Sequence, residues 1–225
     1  MTATLPRRSI VALALGAGQT LLVLLGWGLD DVSMYFANPA RALVVGSVIL
    51  QPLLFLFVPN FGLPSSSAGE GRGDWLGVLV ATVAIPALLF VAPYSQQLGI
   101  WNPGAPLPSL VAGSLLVALG AVFATWGPVH LGRQYSVFVI LQQEHRLITG
   151  GPFRLMQHPR YSGLVQWAVG IALIFGSSPA LLLALLLAVV FIRRSRLEER
   201  LLKQEFGPHW EAYAKRTKRF VPLLY

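Results

Sequence analysis

The sequence predicts an all-α fold: a polytopic integral-membrane bundle of about six spans that ends in a C-terminal helical hairpin, with both termini in the cytoplasm. Three observations carry this. Of 225 residues, 55% are hydrophobic and only 12% charged, where a soluble domain carries about 25% charged residues, and the mean hydropathy is +0.64. Apolar runs of roughly 20 residues recur, each long enough to cross a hydrocarbon core about 30 Å thick. Basic residues flank those runs in the alternating pattern that sets orientation.

The first span is expected at about 9–29, preceded by Arg7 and Arg8. Its start resembles a signal peptide, but the apolar stretch runs on to Leu29, longer than a signal core, so a retained span is expected. The loop after it carries Asp30 and Asp31. A second span is placed at 40–58, followed by "PNFGLPSSSAGEGRGD" (59–74), whose Gly, Ser and Pro read as a flexible cytoplasmic loop. A third span at 75–93 leads into a loop, 94–107, without any charge, and a fourth occupies 108–127.

The last two spans, 160–176 and 179–195, form the hairpin. "GSSP" (176–179) stops one helix and starts the next, with Ser178 as cap and Pro179 at the first helical position. Each arm has about 15 strictly apolar residues, near 22 Å at 1.5 Å per residue. Both arms must therefore run on into their polar flanks, which brings "QHPRY" and "RRSRLEER" together. Residues 128–160 hold Arg133, Arg146, Arg154 and Arg160, and the C-terminus is strongly basic. An even number of spans with this bias puts both termini inside. The chain divides into N-terminal spans (1–127), with few polar residues that invite chemistry, and a C-terminal region (128–225) with nearly all the reactive groups. No internal repeat is evident.

The net charge of +8, from 17 Lys+Arg against 9 Asp+Glu, belongs to the collars of the spans. The stacking platforms and extended basic face of a nucleic-acid binder are missing, so no nucleic-acid partner is expected. With no cysteine, disulfides, thiolate chemistry and cysteine-based metal sites are excluded, and no metal is expected.

Two polar clusters remain. In "GGPFRLMQHPRY", Gly150-Gly151-Pro152 makes a turn, and His158-Pro159 opens a helix whose N-terminus suits carboxylates or phosphates. Alone, His158 reads equally as a capping or interfacial histidine and Tyr161 as a membrane-belt aromatic. In "FIRRSRLEERLLKQEFG", Arg194 and Glu198 share a helix face among Arg193, Arg196, Glu199 and Arg200; the plain alternative is a snorkelling collar with solvated counter-ions. The hairpin changes the balance. An Arg, a Glu, a His and a Tyr would line one cavity open to cytoplasm and lipid, suited to a polar cofactor and a lipophilic substrate.

From Leu131 to Tyr225 the chain resembles the isoprenylcysteine carboxyl methyltransferase family, within a wider group of membrane methyltransferases that includes phospholipid N-methyltransferases. The carrying pieces are "LGRQYSVFVI" (131–140), "HRLITGGPFRLMQHPRYSG" (145–163), "RLEERLL" (196–202) and "FGPHWEAYAKRTKRFVP" (206–222). The resemblance implies an enzyme using S-adenosyl-L-methionine, with a lipophilic small molecule or lipid as acceptor, set in the lipid of a bacterial inner membrane or its equivalent with its site facing the cytoplasm. It implies that His145, Arg146, Leu147 and Ile148 border the cofactor, largely through backbone, and that Phe153, His158, Pro159, Arg160 and Tyr161 form a second cofactor segment. Glu198 would hold the cofactor's ammonium group, and Arg194 would orient a substrate carboxylate; these two are the candidate catalytic residues.

Two positions depart from the family pattern. Phe153 stands where tyrosine is frequent, so a hydroxyl hydrogen bond is lost there, and Gln157 stands where the family has arginine, a charge that Arg160 could supply from nearby. Methyl transfer from a sulfonium is a direct displacement, so the work lies in alignment and exclusion of water. A carboxylate acceptor is already ionised near neutral pH; an amine or thiol would need a base such as His158 or the glutamates. Two rival readings stay open: an NADPH-dependent sterol-reductase-like enzyme, which has a similar C-terminal pattern but is usually longer, and a non-catalytic membrane accessory protein of the same fold.

Overall fold

A computed structural model describes residues 7–54, 56, 74–136 and 146–221. Among them the secondary structure is helical: α1 (Arg7–Trp27), α2 (Val32–Phe36), α3 (Pro39–Leu54), α4 (Trp75–Leu98), α5 (Leu107–Leu131), α6 (Pro159–Phe175), α7 (Ser178–Phe206) and α8 (Pro208–Arg216), with short 3-10 turns between some of them. Among the described residues three helical stretches are long and apolar enough to cross a membrane, Ser9–Trp27, Trp75–Leu98 and Leu107–Gln134. A fourth arises if the pair Leu29–Phe36 and Pro39–Leu53, bent by 107°, is one broken span. Their outer faces expose large apolar side chains such as Leu21, Leu79, Val83, Leu115 and Leu119. In a bundle this apolar, such faces belong against lipid, and the chain is an integral membrane protein.

The closest helix pairing is α5 against α6, and glycine permits it. Gly113, Gly120 and Gly127 recur every seven residues on α5, as do Gly163 and Gly170 on α6, two turns apart and so on one face. A Cβ on Gly120 would come within 2.6 Å of the Gly163 carbonyl, and one on Gly170 within 2.6 Å of the Gly113 carbonyl. Small residues let backbones touch where no hydrophobic drive between helices exists. Gly163→Leu is therefore expected to destabilise the protein by about 3 kcal/mol or more. Gly18→Leu, at a position with open space around it, should leave the thermal midpoint in detergent nearly unchanged; equal melting of both variants would refute the close-approach reading.

Buried polar groups at the hairpin turn are paired across helices. Gly176 ends α6 in the left-handed region (φ 59°), and Asn102 donates to the Phe175 carbonyl (2.8 Å). The cap of α7 is Ser177, not Ser178: its hydroxyl accepts from the Ala180 N–H (3.1 Å) and from Ser95 on α4 (2.6 Å). The α6 stop falls one residue earlier than the sequence suggested, so the chain reverses before Ser178, which is already helical. As expected, α7 runs far past its apolar part, 29 residues in all, about 44 Å at 1.5 Å per residue. Its polar half carries Arg194, Glu198 and Glu199 beside the start of α6.

The 59–74 segment, expected as a flexible loop, lies outside the described residues except for Asp74. Asp74 is buried, and its carboxylate pairs with Arg194 Nη2 at 3.0 Å.

Candidate active site

Where α6 begins, the backbone is strapped down by the tail after α8. The Gln157 N–H donates to the Lys218 carbonyl (2.8 Å) and the His158 N–H to the Arg219 carbonyl (3.0 Å). The Ser162 hydroxyl donates to the Phe220 carbonyl (2.8 Å). The Gln157 side-chain amide donates to the Thr217 carbonyl. Gln157 is thus a strut for the tail, a task that its neutral amide performs without the charge that an arginine would bring.

His158 precedes Pro159, the first residue of α6, and its ring makes no capping bond. It is buried between two carboxylates, with Nδ1 3.6 Å from Glu198 and Nε2 3.2 Å from Glu199. Burial alone would disfavour the charged ring, but the hydrogen bonds and charges of Glu198 and Glu199 outweigh it and push the pKa up to about 8. Burial likewise raises both carboxyls, yet His158 holds each below the ordinary range, assisted by Tyr161 and Arg194 at Glu198 and by Arg219 at Glu199. The capping and interfacial readings of His158 both fail: its ring, set between Glu198 and Glu199, ties α6 to α7. Tyr161 is no belt aromatic either, since its ring stacks on His158 (5.6 Å) and on Phe191 (5.2 Å).

This arrangement sets a pH window. The raised His158 pKa contributes stability that is full below about 6.5 and lost as pH rises through about 8. The lowered glutamate pKa values contribute stability present above 4.5 and lost as pH falls. The thermal midpoint should fall between pH 6.5 and 8.5, and His158→Asn should flatten that limb; an unchanged slope in the variant would assign it to another group.

The two glutamates divide the work. Glu199 is 14% exposed and bound by His158 and by Arg219 (2.8 Å), which makes it structural. Glu198 is 37% exposed and faces a cavity of about 370 Å³. Arg146, Leu147, Ile148, Phe153, His158, Pro159, Arg160, Tyr161, Arg194 and Glu198 all line this cavity; His145 lies outside the described residues. The Arg146 backbone N–H donates to Gln134 (2.9 Å), Arg160 donates to the Ala124 carbonyl (3.2 Å) and lies over the Tyr135 ring, and the Tyr213 hydroxyl donates to the Phe153 carbonyl (2.8 Å). A hydroxyl is therefore present beside Phe153, supplied by α8.

Sequence reasoning passed over several lining residues. Tyr135, Trp210 and Tyr213 sit inside motifs already singled out, so a signal for them existed. Asp74 had none. Burial pushes its carboxyl up, against the opposing pull of Arg194, and Gly77 leaves room for the Arg194 stem, which a Cβ there would meet at 3.2 Å. The other half of the cavity is mostly apolar and comes from helices that seemed inert: Leu15 and Gln19 of α1, and Val78, Ala81, Thr82, Ile85 and Pro86 of α4. The cavity joins a charged end to an apolar end, with Arg194 and Tyr161 between them.

Comparison with known proteins places the chain among membrane methyltransferases. Residues 108–209 match the family model described as phospholipid methyltransferase. The chain is 30% identical over 178 residues to protein-S-isoprenylcysteine O-methyltransferase B of Arabidopsis thaliana, covering 76% of this chain and 90% of that protein. It is 33% identical over 115 residues to a probable protein-S-isoprenylcysteine O-methyltransferase of Oryza sativa subsp. indica, where the match spans 50% of this chain and only 60% of the rice protein. It is also 30% identical over 173 residues to the cobalt-zinc-cadmium resistance protein CzcN of Cupriavidus metallidurans, covering 72% and 73% of the two chains. The solved structure of the eukaryotic intramembrane Ras methyltransferase ICMT shares the fold, with a TM-score of 0.54 at 20% identity over 91% of this chain and 73% of that one.

Proposed function

The chain belongs to the isoprenylcysteine carboxyl methyltransferase family, and on that premise we propose that it is an S-adenosyl-L-methionine-dependent membrane methyltransferase acting on a lipophilic carboxylate, carried by a small molecule or a lipid. In this reading the chain crosses the membrane six times with both termini inside, the bent pair and the α6–α7 hairpin completing the count. Residues 1–127 supply spans and the acceptor channel, residues 128–225 the cofactor region, and the site opens to the cytoplasm of a bacterial inner membrane or its equivalent.

The observation that carries the reading is Glu198: an ionised carboxylate, braced by His158 and partly open to a cavity. A cationic amine is the group such a carboxylate recognises. The cavity volume, about 370 Å³, falls in the range of small-molecule sites, and the rings of Phe153, Trp210 and Tyr213 on its wall suit a flat heterocycle. These residues fit S-adenosylmethionine, with Arg146, Leu147, Ile148, His158, Pro159, Arg160 and Tyr161 as its remaining contacts and His145 beside them. When bound, the cofactor supplies a methyl group on a positively charged sulfur.

The protein's own share is placement. Asp74 contacts the Arg194 guanidinium at Nη2, and a guanidinium has donors for more than one carboxylate, so Arg194 can orient the acceptor's acid while Asp74 fixes its rotamer. The acceptor's tail would lie along α1 and α4, and a largely apolar channel keeps water from the reacting oxygen. An ionised carboxylate needs no base, so His158 has no proton to remove and serves to hold Glu198.

Calorimetry on the purified full chain tests the cofactor: micromolar binding of S-adenosylmethionine with none of NADPH is expected. The reverse would make the protein a reductase. Binding of S-adenosylmethionine without transfer of labelled methyl to any lipophilic acid would leave an accessory protein of the same fold.

A further inference from the structure

The apolar end of the cavity contains a polar notch. Gln19 is the 13th of the 21 residues of α1, deep in a membrane-spanning helix where an amide is expensive unless it has a use. It is partly buried, lines the cavity, and makes no hydrogen bond to any described residue. From α4 the same cavity is lined by Thr82, which is exposed, and by Pro86. Pro86 lies inside the helix and has no N–H, so the carbonyl of Thr82, four residues earlier, lacks its usual helical donor. The Thr82 hydroxyl spends its proton on the Val78 carbonyl (2.7 Å) and retains lone pairs as an acceptor. Within one notch the wall thus offers an amide that can donate or accept, and two oxygens that can only accept.

The helix register sets its depth. A Cβ on Gly26 of α1 would meet Pro93 of α4, and Gln19 shares the cavity with Ile85 and Pro86, so the two helices run parallel and level. Gly77, which touches the Arg194 stem, is five residues before Thr82 and nine before Pro86. At 1.5 Å per residue the notch lies about 8–13 Å from Arg194 along the helix axis.

We propose that Gln19 and Thr82 form a recognition site for a hydroxyl group on the tail of the acceptor. The natural substrate is then a lipophilic acid that bears a hydroxyl partway along its chain, rather than a plain hydrocarbon. A hydroxyl matches the notch in both senses: its proton goes to a Thr82 oxygen and its lone pair accepts from the Gln19 amide. A bare alkyl or prenyl chain would leave these groups facing hydrocarbon. The substrate class rests on the carboxylate reading above; the notch itself does not.

The test uses the full chain in lipid nanodiscs, saturated with S-adenosylmethionine, and four probes: N-acetyl-S-dodecylcysteine with and without a mid-chain hydroxyl, each as the acid and as the neutral amide. In the wild type the hydroxylated probe should bind about five- to ten-fold more tightly than the plain one, the scale of one net hydrogen bond. Gln19→Leu should remove that preference while binding the plain probe at least as well, which also shows that the variant is folded. Discrimination kept by the amides when neither acid binds would sink the carboxylate reading and uphold the notch. Equal binding of plain and hydroxylated probes, no binding by any of the four, or a preference that survives Gln19→Leu, would overturn the notch.

Discussion

Glu198→Gln is expected to weaken S-adenosylmethionine binding by about 100-fold, the scale of one charge-assisted contact, while the protein stays folded. The substitution keeps the shape and one acceptor oxygen but removes the charge that faces the cavity. His158 keeps Glu199 as its second carboxylate at 3.2 Å, so the α6–α7 tie should survive with a modest fall in thermal midpoint. Glu199→Gln gives the converse. It removes the partner shared by His158 and Arg219, so stability should drop more than affinity. Calorimetry and thermal denaturation on the two variants check the division directly, and it is wrong if Glu199→Gln loses the cofactor and Glu198→Gln keeps it.

Asp74→Ala should strongly destabilise the protein. Asp74 and Arg194 are both buried and contact each other at 3.0 Å. Removing the carboxylate strands a guanidinium in a low-dielectric wall, a cost of about 3–5 kcal/mol. The double variant Asp74→Ala/Arg194→Met should recover most of that loss, because removing both partners removes the uncompensated charge. Activity should not recover, since the proposed acceptor contact goes with Arg194. Stability of the single variant equal to wild type would mean that the pair is open to solvent and fixes nothing.

The all-α class, the membrane location, the long polar extension of α7 and the meeting of "QHPRY" with "RRSRLEER" were all legible in the sequence. Each follows from local physics. Apolar run length decides whether a segment can span, and a short hairpin turn leaves its two arms no choice but to end side by side. The residues of the charged end were legible for the same reason, because four of the cavity's segments lie within about 95 residues of each other and share recognisable motifs. Ser177 instead of Ser178 as the α7 cap is the kind of one-residue difference that terminal geometry decides.

What escaped the sequence depends on packing between distant segments. Asp74 ends a Gly- and Ser-rich loop, and nothing around it distinguishes a buried counter-ion from a solvated acid; only the α4–α7 contact, with Gly77 against the Arg194 stem, makes it one. The seven-residue glycine spacing on α5 and α6 reads as ordinary membrane composition until the two backbones are seen to touch. Gln157 looked like a lost charge and is a strut, because the tail that it holds returns from 60 residues further on. Gln19 and Thr82 sit in apolar runs whose periodicity says only that they are helical. The sequence by itself determined that the chain is an apolar, all-helical membrane protein and where its charge gathers, since both depend on near neighbours in the chain. Tertiary structure alone decided which polar groups face the cavity and which are spent on one another, because burial and pairing are properties of contacts between helices.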